Sequence, residues 1–252
     1  MTDTATRSAP VAILGSGLCF PDADLAGELG FADTGVDASV LAPMVRRRTS
    51  MATRVAITAA SRACTAAGIG KKLPAIFVSS VGETQVTDKL CRAITQQEYP
   101  LSPTLFHNSV HNTAAGYWSM ATGSMAAMQA MGALDDGFAL ALLEAWCQLQ
   151  TVTQQVLLVA YDEVMPEQLL PDYRWKACAF ALVLDRDTRD RPLLHRPIQS
   201  DNAALPEGEF AARNPAMAAL PLFRTLQQGN SGEQQITLSA GQRPWLLDVV
   251  MP

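Results

Sequence analysis

Apolar positions along this chain change period repeatedly, and each change marks an element. Val11 to Leu14 is a short apolar run, read as a buried strand closed by a glycine turn at Gly15-Ser16-Gly17. Thr53 to Ala67 is rich in alanine, presents Val55, Ala59, Ala63 and Ala66 at helical spacing, and stops at Gly68; this predicts a helix with a closely packing face. Ala75 to Ser80 reads as another central strand. Val86, Leu90 and Ile94 recur every four residues and predict an amphipathic helix over Thr84 to Thr95, followed by a rigid loop at Pro100 and Pro103.

Periodicity weakens in the middle of the chain. Ala114 to Met120 reads as helix ending at Gly123, whereas Met125 to Met131 has a helix-favouring composition without a decisive period. Beyond Gly132-Ala133-Leu134-Asp135-Asp136-Gly137, the stripe Phe138, Leu142, Trp146 and Leu149 predicts a helix whose first amides Asp135 or Asp136 can cap. Val156 to Ala160 and Ala177 to Leu184 predict buried strands, with Tyr161-Asp162-Glu163 and Asp185-Arg186-Asp187 at their polar exits. Pro192 to Pro215 is loop-like; Ala216 to Gln228 predicts a terminal helix delayed or kinked by Pro221, and Gln234 to Leu238 a short strand. No repeat and no long polar linker demands a second domain. The expected organisation is a flexible segment 1–10, a domain over 11–190, and an extension over 191–252 packed on that domain.

Composition narrows the classes of function. A chain of 252 residues, 48% hydrophobic, can bury one substantial core. A formal charge of -5 gives little basis for binding nucleic acid, and 17% charged residues, against about 25% in ordinary soluble chains, suggests a surface covered by a protein partner. No 18-residue apolar run predicts a membrane span, and residues 1–10 lack a signal-peptide core, so the expected location is cytoplasmic. The scattered Cys19, Cys64, Cys91, Cys147 and Cys178 read as reduced, buried thiols, Cys147 as a packed core thiol.

Candidate chemistry is sparse. Gly15-Ser16-Gly17-Leu18-Cys19-Phe20 lacks the third glycine of a dinucleotide fingerprint, and Pro21 blocks an immediate helix. His107 and His111 are four apart but lack a glutamate between them and a third ligand, which argues against a metal. Asp162 and Glu163 read as residues capping or solvating a strand exit rather than a hydrolytic pair, and His195 is a weak base candidate. Arg46-Arg47-Arg48, the densest positive cluster, is either a solvated approach to a helix or a contact for an acidic partner. Met120, Met125, Met128 and Met131 suit either an adaptable wall or core filling.

The run Phe106-His107-Asn108-Ser109-Val110-His111-Asn112-Thr113-Ala114-Ala115-Gly116-Tyr117-Trp118-Ser119 resembles the N-terminal domain of ketosynthase-like chain-length factors of aryl polyene pathways. Arg46-Arg47-Arg48-Thr49-Ser50, Phe77-Val78-Ser79-Ser80 and Phe138-Ala139-Leu140-Ala141-Leu142-Leu143-Glu144-Ala145 extend the resemblance over roughly residues 10–185. It implies an α/β, thiolase-like layered fold with a mixed central sheet, equivalent to the first half of a ketosynthase, and a strand role for Met125 to Met131. In such enzymes a cysteine on the elbow of the first half is the nucleophile and two histidines come from the second. Here that window is Ala133, Leu134, Asp135 and Asp136, and the later chain has only His195. Condensation needs a soft thiolate to hold the acyl group, which a carboxylate does not replace.

The resemblance therefore implies a noncatalytic subunit that pairs with an active β-ketoacyl synthase in a heterodimer and shapes its elongation tunnel. An acyl carrier protein is a possible second partner, its phosphopantetheine-linked acyl chain contacting the complex, with no cofactor bound directly. Interface or tunnel candidates are Arg46, Arg47, Arg48, Phe106, His107, Asn108, His111, Asn112, Tyr117, Trp118, Ala126, Ala127, Ala130 and Phe138. The alternatives are a carrier-protein-binding stabiliser of the complex, and a hydrolase or decarboxylase of acyl thioesters that uses Asp135 or Asp136 to activate water.

Overall fold

Small residues on a strand and on a helix meet at the centre of the molecule. β1 (Val11–Cys19) carries Gly15 and Gly17, and α3 (Met51–Ala67) turns Ala52, Ala56, Ala59, Ala60 and Ala63 inward. A Cβ at Gly15 or Gly17 would fall within 3.0 Å of the α3 backbone, so the two glycines are what lets the helix lie directly on the sheet. The expected glycine turn is thus the interior of a strand. A bulge between Ile13 and Gly15 shifts the register, and the side-chain alternation changes face there. Ile13 consequently faces one core, whereas Cys19 belongs to the other. Helix α3 begins two residues earlier than predicted, because the Ser50 side chain accepts from Thr53 N, and it ends at Gly68 with φ 67°.

The structure, a computed structural model, describes residues 8–32, 34–169, 175–201, 214–238 and 244–252. Around the central pair it adds α1 (Ala23–Glu28), α2 (Pro43–Arg46), β2 (Ala75–Val78), α4 (Thr84–Thr95), α5 (Pro103–Asn108), α6 (Thr113–Thr122), β3 (Met128–Met131) and α7 (Gly137–Thr151). Then follow β4 (Gln155–Asp162), β5 (Cys178–Asp185), β6 (Leu193–Leu194), β7 (Ile198–Gln199), α8 (Leu220–Gln228), β8 (Gly232–Leu238) and β9 (Trp245–Met251). The strands form one mixed sheet in the order β3-β2-β4-β5-β1-β6-β9-β7, with β8 also paired to β9. β2 is parallel to both β3 and β4; β4 with β5, and β5 with β1, are antiparallel.

Two cores follow from strand alternation. On one face Val156, Leu158, Phe180 and Leu182 pack with Phe138, Leu142 and Leu149 of α7 and with Leu222 and Phe223 of α8. On the other, Leu157, Val159, Ala179 and Ala181 pack with α3 and with Trp118 of α6. The result is an α/β layered fold around a mixed central sheet.

Several expectations change in three dimensions. Pro103 does not prolong a loop: with Ser102 accepting from Leu105 N, it opens α5, since proline is suited to a helix's first turn. Met128–Met131 is a strand despite its composition, because it pairs with β2 in register. On α4, Val86 is buried but Ile94 is exposed, so the predicted apolar stripe is only partly covered. Pro221 delays α8 by following a 3-10 turn at Pro215–Ala219. That helix is not terminal; β8 and β9 follow as an antiparallel pair, and β9 joins the main sheet through β6.

The C-terminal segment is joined to the sheet along its described parts, while residues 202–213 within the predicted loop lie outside the described residues. Residues 1–7 of the predicted flexible segment also lie outside them. Ser8 and Ala9 are held: Ser8 O lies 2.9 Å from His195 Nδ1 and Ala9 O accepts from Trp146 Nε1 at 2.7 Å. His195, a weak base candidate from sequence, therefore ties down a chain segment.

Candidate functional site

The segment after β3 forms the elbow expected from sequence and singles out one residue in it. Leu134 has φ 46°, a left-handed backbone that costs an L-residue about 1–2 kcal/mol, and its side chain is 71% exposed. Ser80 Oγ donates to Leu134 O at 2.7 Å and holds the turn from the β2 side. Leu134–Asp136 is a 3-10 turn, and α7 starts at Gly137, where a Cβ would lie 3.1 Å from Val78. Thus the position displayed by the strained turn bears an aliphatic side chain with no nucleophilic atom.

The two acids beside it do not cap α7 as expected. Asp136 occupies the N-cap position without a side-chain hydrogen bond to the helix and instead accepts from Trp245 Nε1 at 3.2 Å. Asp135 is held above the usual carboxylate range by partial burial and then by the charge of Asp136. Beneath the turn, Val78, Phe138, Ala160, Pro215 and Ala216 leave a cavity of about 10 Å3, room for roughly one water molecule. The 3-10 turn at Pro215–Ala219 fills this space. Neither Pro215 nor Trp245 carries any sign of this role in the sequence.

Beside the elbow lies a buried acidic network that the sequence pattern places at solvated strand exits. Asp162 is 1% and Glu163 2% exposed, which corrects that expectation. Asp162 accepts from Ser79 Oγ, from Ser80 N at 3.0 Å and from Val81 N at 3.3 Å. Glu163 caps two helices at once, accepting from Gln85 N of α4 at 3.0 Å and Ala52 N of α3 at 3.4 Å. Burial pushes Asp162 up to about 6 against its hydrogen bonds, and pushes Glu163 up to about 7 with help from Glu83 and Asp162. Glu83, unremarked in the sequence, is 1% exposed, receives Thr53 Oγ1 at 2.6 Å and is raised by burial.

His111 connects this network to the distinctive 106–119 segment. It sits in a turn between α5 and α6, off the helix that carries His107; its Nε2 lies 3.0 Å from Ser79 O. Cβ atoms at Gly82 and Gly132 would lie 3.1 and 3.3 Å from its ring, so those glycines make the slot that holds it. Asn108 is buried, donating to Arg48 O at 2.7 Å and accepting from Tyr117 Oη at 2.9 Å. Among the described residues no group of three or more His, Cys, Asp or Glu is disposed to hold a metal.

The remaining candidates separate by exposure. Trp118 and Phe138 are 0% and 2% exposed and belong to the two cores, which removes both from any surface role. Phe106, Val110, Met120 and Met125 are exposed, and a groove of about 600 Å3 runs between α5 and α6, lined by Phe106, His107, Val110, Asn112, Gly116, Tyr117 and Met120. Ala126, Ala127 and Ala130 are not in that groove; they flank or lie in β3, which among the described residues is hydrogen-bonded to a strand on one side only and forms an end of the sheet. Arg47 and Arg48 are exposed, with Arg46 half-buried. Cys91 and Cys147 are exposed rather than buried, while Cys19, Cys64 and Cys178 are buried; all five are free. Cys147 lies far along α7, away from the turn at Leu134.

Comparison with known proteins places this geometry. The chain superposes on a ketosynthase (ApeO) in complex with its chain length factor (ApeC) from Xenorhabdus doucetiae with a TM-score of 0.70 and 19% identity, covering 94% of this chain and 98% of the matched one. It superposes on a type II PKS acyl-carrier protein in complex with its ketosynthase bound to the hexaketide with a TM-score of 0.73 and 12% identity, over 98% and 100% of the two chains. A cerulenin-bound OleA from Xanthomonas campestri gives 0.60 at 13% identity, over 97% and 98%. At these identities the likeness shows the fold, which is thiolase-like. No curated protein matches the sequence. No helix among the described residues is long and apolar enough to cross a membrane. Residues 28–246 match the family described as beta-ketoacyl synthase, N-terminal domain, and with most of its length so matched the chain belongs to that family.

Proposed function

We propose that this protein is a noncatalytic chain-length factor: a subunit that pairs with an active β-ketoacyl synthase and shapes the tunnel in which the partner's acyl chain grows. The observation that carries this reading is the elbow itself, whose strained left-handed turn presents Leu134, over a cavity of about 10 Å3. An acyl-enzyme needs a nucleophile there and space for a thioester. Hydrolysis or decarboxylation by the neighbouring acids has less support, since Asp136 is engaged by Trp245 and Asp135 is exposed to solvent, where a water-activating carboxylate is not sheltered from bulk water.

The face for the partner is the β3 end of the sheet together with the α5–α6 groove. An unpaired strand edge is a ready template for another chain, and Phe106, Val110, Met120, Met125 and Leu134 add exposed apolar area around it. The synthase presents a complementary apolar face there, and the acyl chain runs along the groove. Polyene acyl chains of the aryl polyene type are the proposed cargo.

Copurification with the cognate synthase followed by reconstituted elongation on carrier-linked malonyl units tests this. The expected result is a stable heterodimer whose product lengths differ from those of the synthase alone. Identical lengths and rates with and without this chain remove the reading.

A carrier-protein adaptor is the second reading, favoured by exposed Arg47 and Arg48 beside the groove, where Arg48 O is bound by Asn108. It predicts carrier binding that weakens with salt and with neutralisation of Arg46, Arg47 and Arg48, without any change in product length.

A further inference from the structure

Glu83, Asp162 and Glu163 take no part in the proposed tunnel, yet each is at most 2% exposed, and the charges of Glu83 and Asp162 both act on Glu163. They arrive from two elements: Glu83 is the N-cap residue of α4, and Asp162 and Glu163 lie at the end of β4. The groups around them are Ser50 and Thr53 of α3, Gln85 of α4, Ser79 and Ser80 after β2, and the acids Tyr161 of β4 and Cys178 of β5. Among the described residues no cation acts on any of the three carboxyls. His111 meets the same loop, its Nε2 lying 3.0 Å from Ser79 O.

Their bonding is unequal. Both oxygens of Glu163 are used, one on each of two helix N-termini, and Asp162 gathers the loop at residues 79–81. Among the described residues Glu83 Oε2 has no partner in hydrogen-bond geometry although it is buried, with the Ser50 hydroxyl the neighbouring donor, and neither has the adjacent Thr84 Oγ1. A buried carboxylate oxygen without a donor is costly, whereas a neutral acid is tolerated. Three full charges in this interior are therefore opposed both by burial and by mutual repulsion.

We propose that Glu83, Asp162 and Glu163 form a proton-operated clasp on the junction between β2 and α4, closed while the trio retains a proton and opened when all three ionise. Opening frees the first turn of α4 and the loop at residues 79–82. That loop carries Ser80, which holds Leu134 O, and Ser79, which holds His111, so proton loss in the interior loosens the elbow and the turn between α5 and α6. The direction agrees with the raised affinity of all three acids for protons.

Hydrogen–deuterium exchange on the full chain at pH 6 and pH 9, corrected for intrinsic exchange rates, tests the clasp. Protection of residues 80–88 is expected to fall at least tenfold at pH 9 and by a clearly larger factor than that of α7 and β5, which follow the global loss of stability, and Glu83→Gln is expected to preserve it. Unchanged protection of residues 80–88, loss in step with α7 and β5, or equal loss in Glu83→Gln overturns the proposal. Infrared spectra of the unaltered chain provide a second decision that does not depend on the variant folding. A buried carboxylic-acid carbonyl band present at pH 6 and absent at pH 9 is expected, and its absence at pH 6 overturns the clasp.

Discussion

Trp245 Nε1 donates to Asp136 Oδ1 at 3.2 Å, joining residues 109 positions apart and securing the elbow to the last strand. Trp245→Phe keeps most of the ring but leaves Asp136 without this donor. The expected loss is about 1 kcal/mol in urea unfolding, the usual net worth of such a bond. An unchanged midpoint would mean that Asp136 is satisfied by water.

Leu134→Cys places a thiol at the exposed, strained position. It is expected to react with iodoacetamide faster than the exposed Cys147 on α7, because it sits on an accessible turn. It is nevertheless expected to give no condensation with acyl and malonyl carrier substrates, since the chain supplies no pair of histidines beside it. Condensing activity in the purified variant would show that the rest of the machinery is present.

Gly17→Val places side-chain atoms where the α3 backbone already lies, with a Cβ within 3.0 Å of Ala59 O. Neither element can yield without separating α3 from the sheet. A loss of about 3 kcal/mol or more is expected in denaturant unfolding, at the upper end for overpacking. Gly35→Ala, where a Cβ meets nothing within 4 Å, is the control, expected to shift stability by well under that amount.

Stability should fall as pH rises from about 4 to about 8. Asp162 and Glu163 have folded-state values raised to about 6 and about 7, above those of the unfolded chain, so the folded state binds more protons. Their stabilising contribution is complete below the unfolded values and is lost as pH passes through the folded ones. A tenfold difference in proton affinity between the folded and unfolded chain is worth about 1.4 kcal/mol, so the loss is on the order of 3 kcal/mol per group. Thermal unfolding across this range reads it, and a midpoint that rises toward pH 8 would contradict the sign.

Product length should respond to the groove rather than to the strand edge. Gly116 faces the α5–α6 groove, and a Cβ there meets nothing within 4 Å. Gly116→Leu is expected to stabilise α6 by up to about 1 kcal/mol and to shorten the partner's product. Ala130→Leu, on the exposed side of β3, is expected to weaken the heterodimer with little change in product length among the complexes that still form. Mass spectra of products, read beside solution mass, separate the two; equal chain lengths in Gly116→Leu and the unaltered protein would remove the groove from the tunnel.

Local physics makes much of this fold legible in sequence. The period of α7, the Gly68 stop of α3, and the apolar runs of β4 and β5 are properties of neighbouring residues, and they hold in the structure to within a few positions. The absence of a cysteine from Ala133 to Asp136 is equally plain, because it is a matter of composition within a short window. What required tertiary structure depended on groups distant in sequence. Gly15 and Gly17 read locally as a turn, but the backbone of α3, more than forty residues away, makes them a contact surface. Met128–Met131 became a strand by pairing with β2, and Trp118 and Phe138 were taken from the surface by two different cores. Which of four elbow residues is displayed was decided by a backbone angle at Leu134, and the solvated acids became a buried cluster once two helix N-termini converged on Glu163. Sequence period reports which face of an element is apolar; only the assembled chain determines what meets that face and which polar groups are sealed behind it.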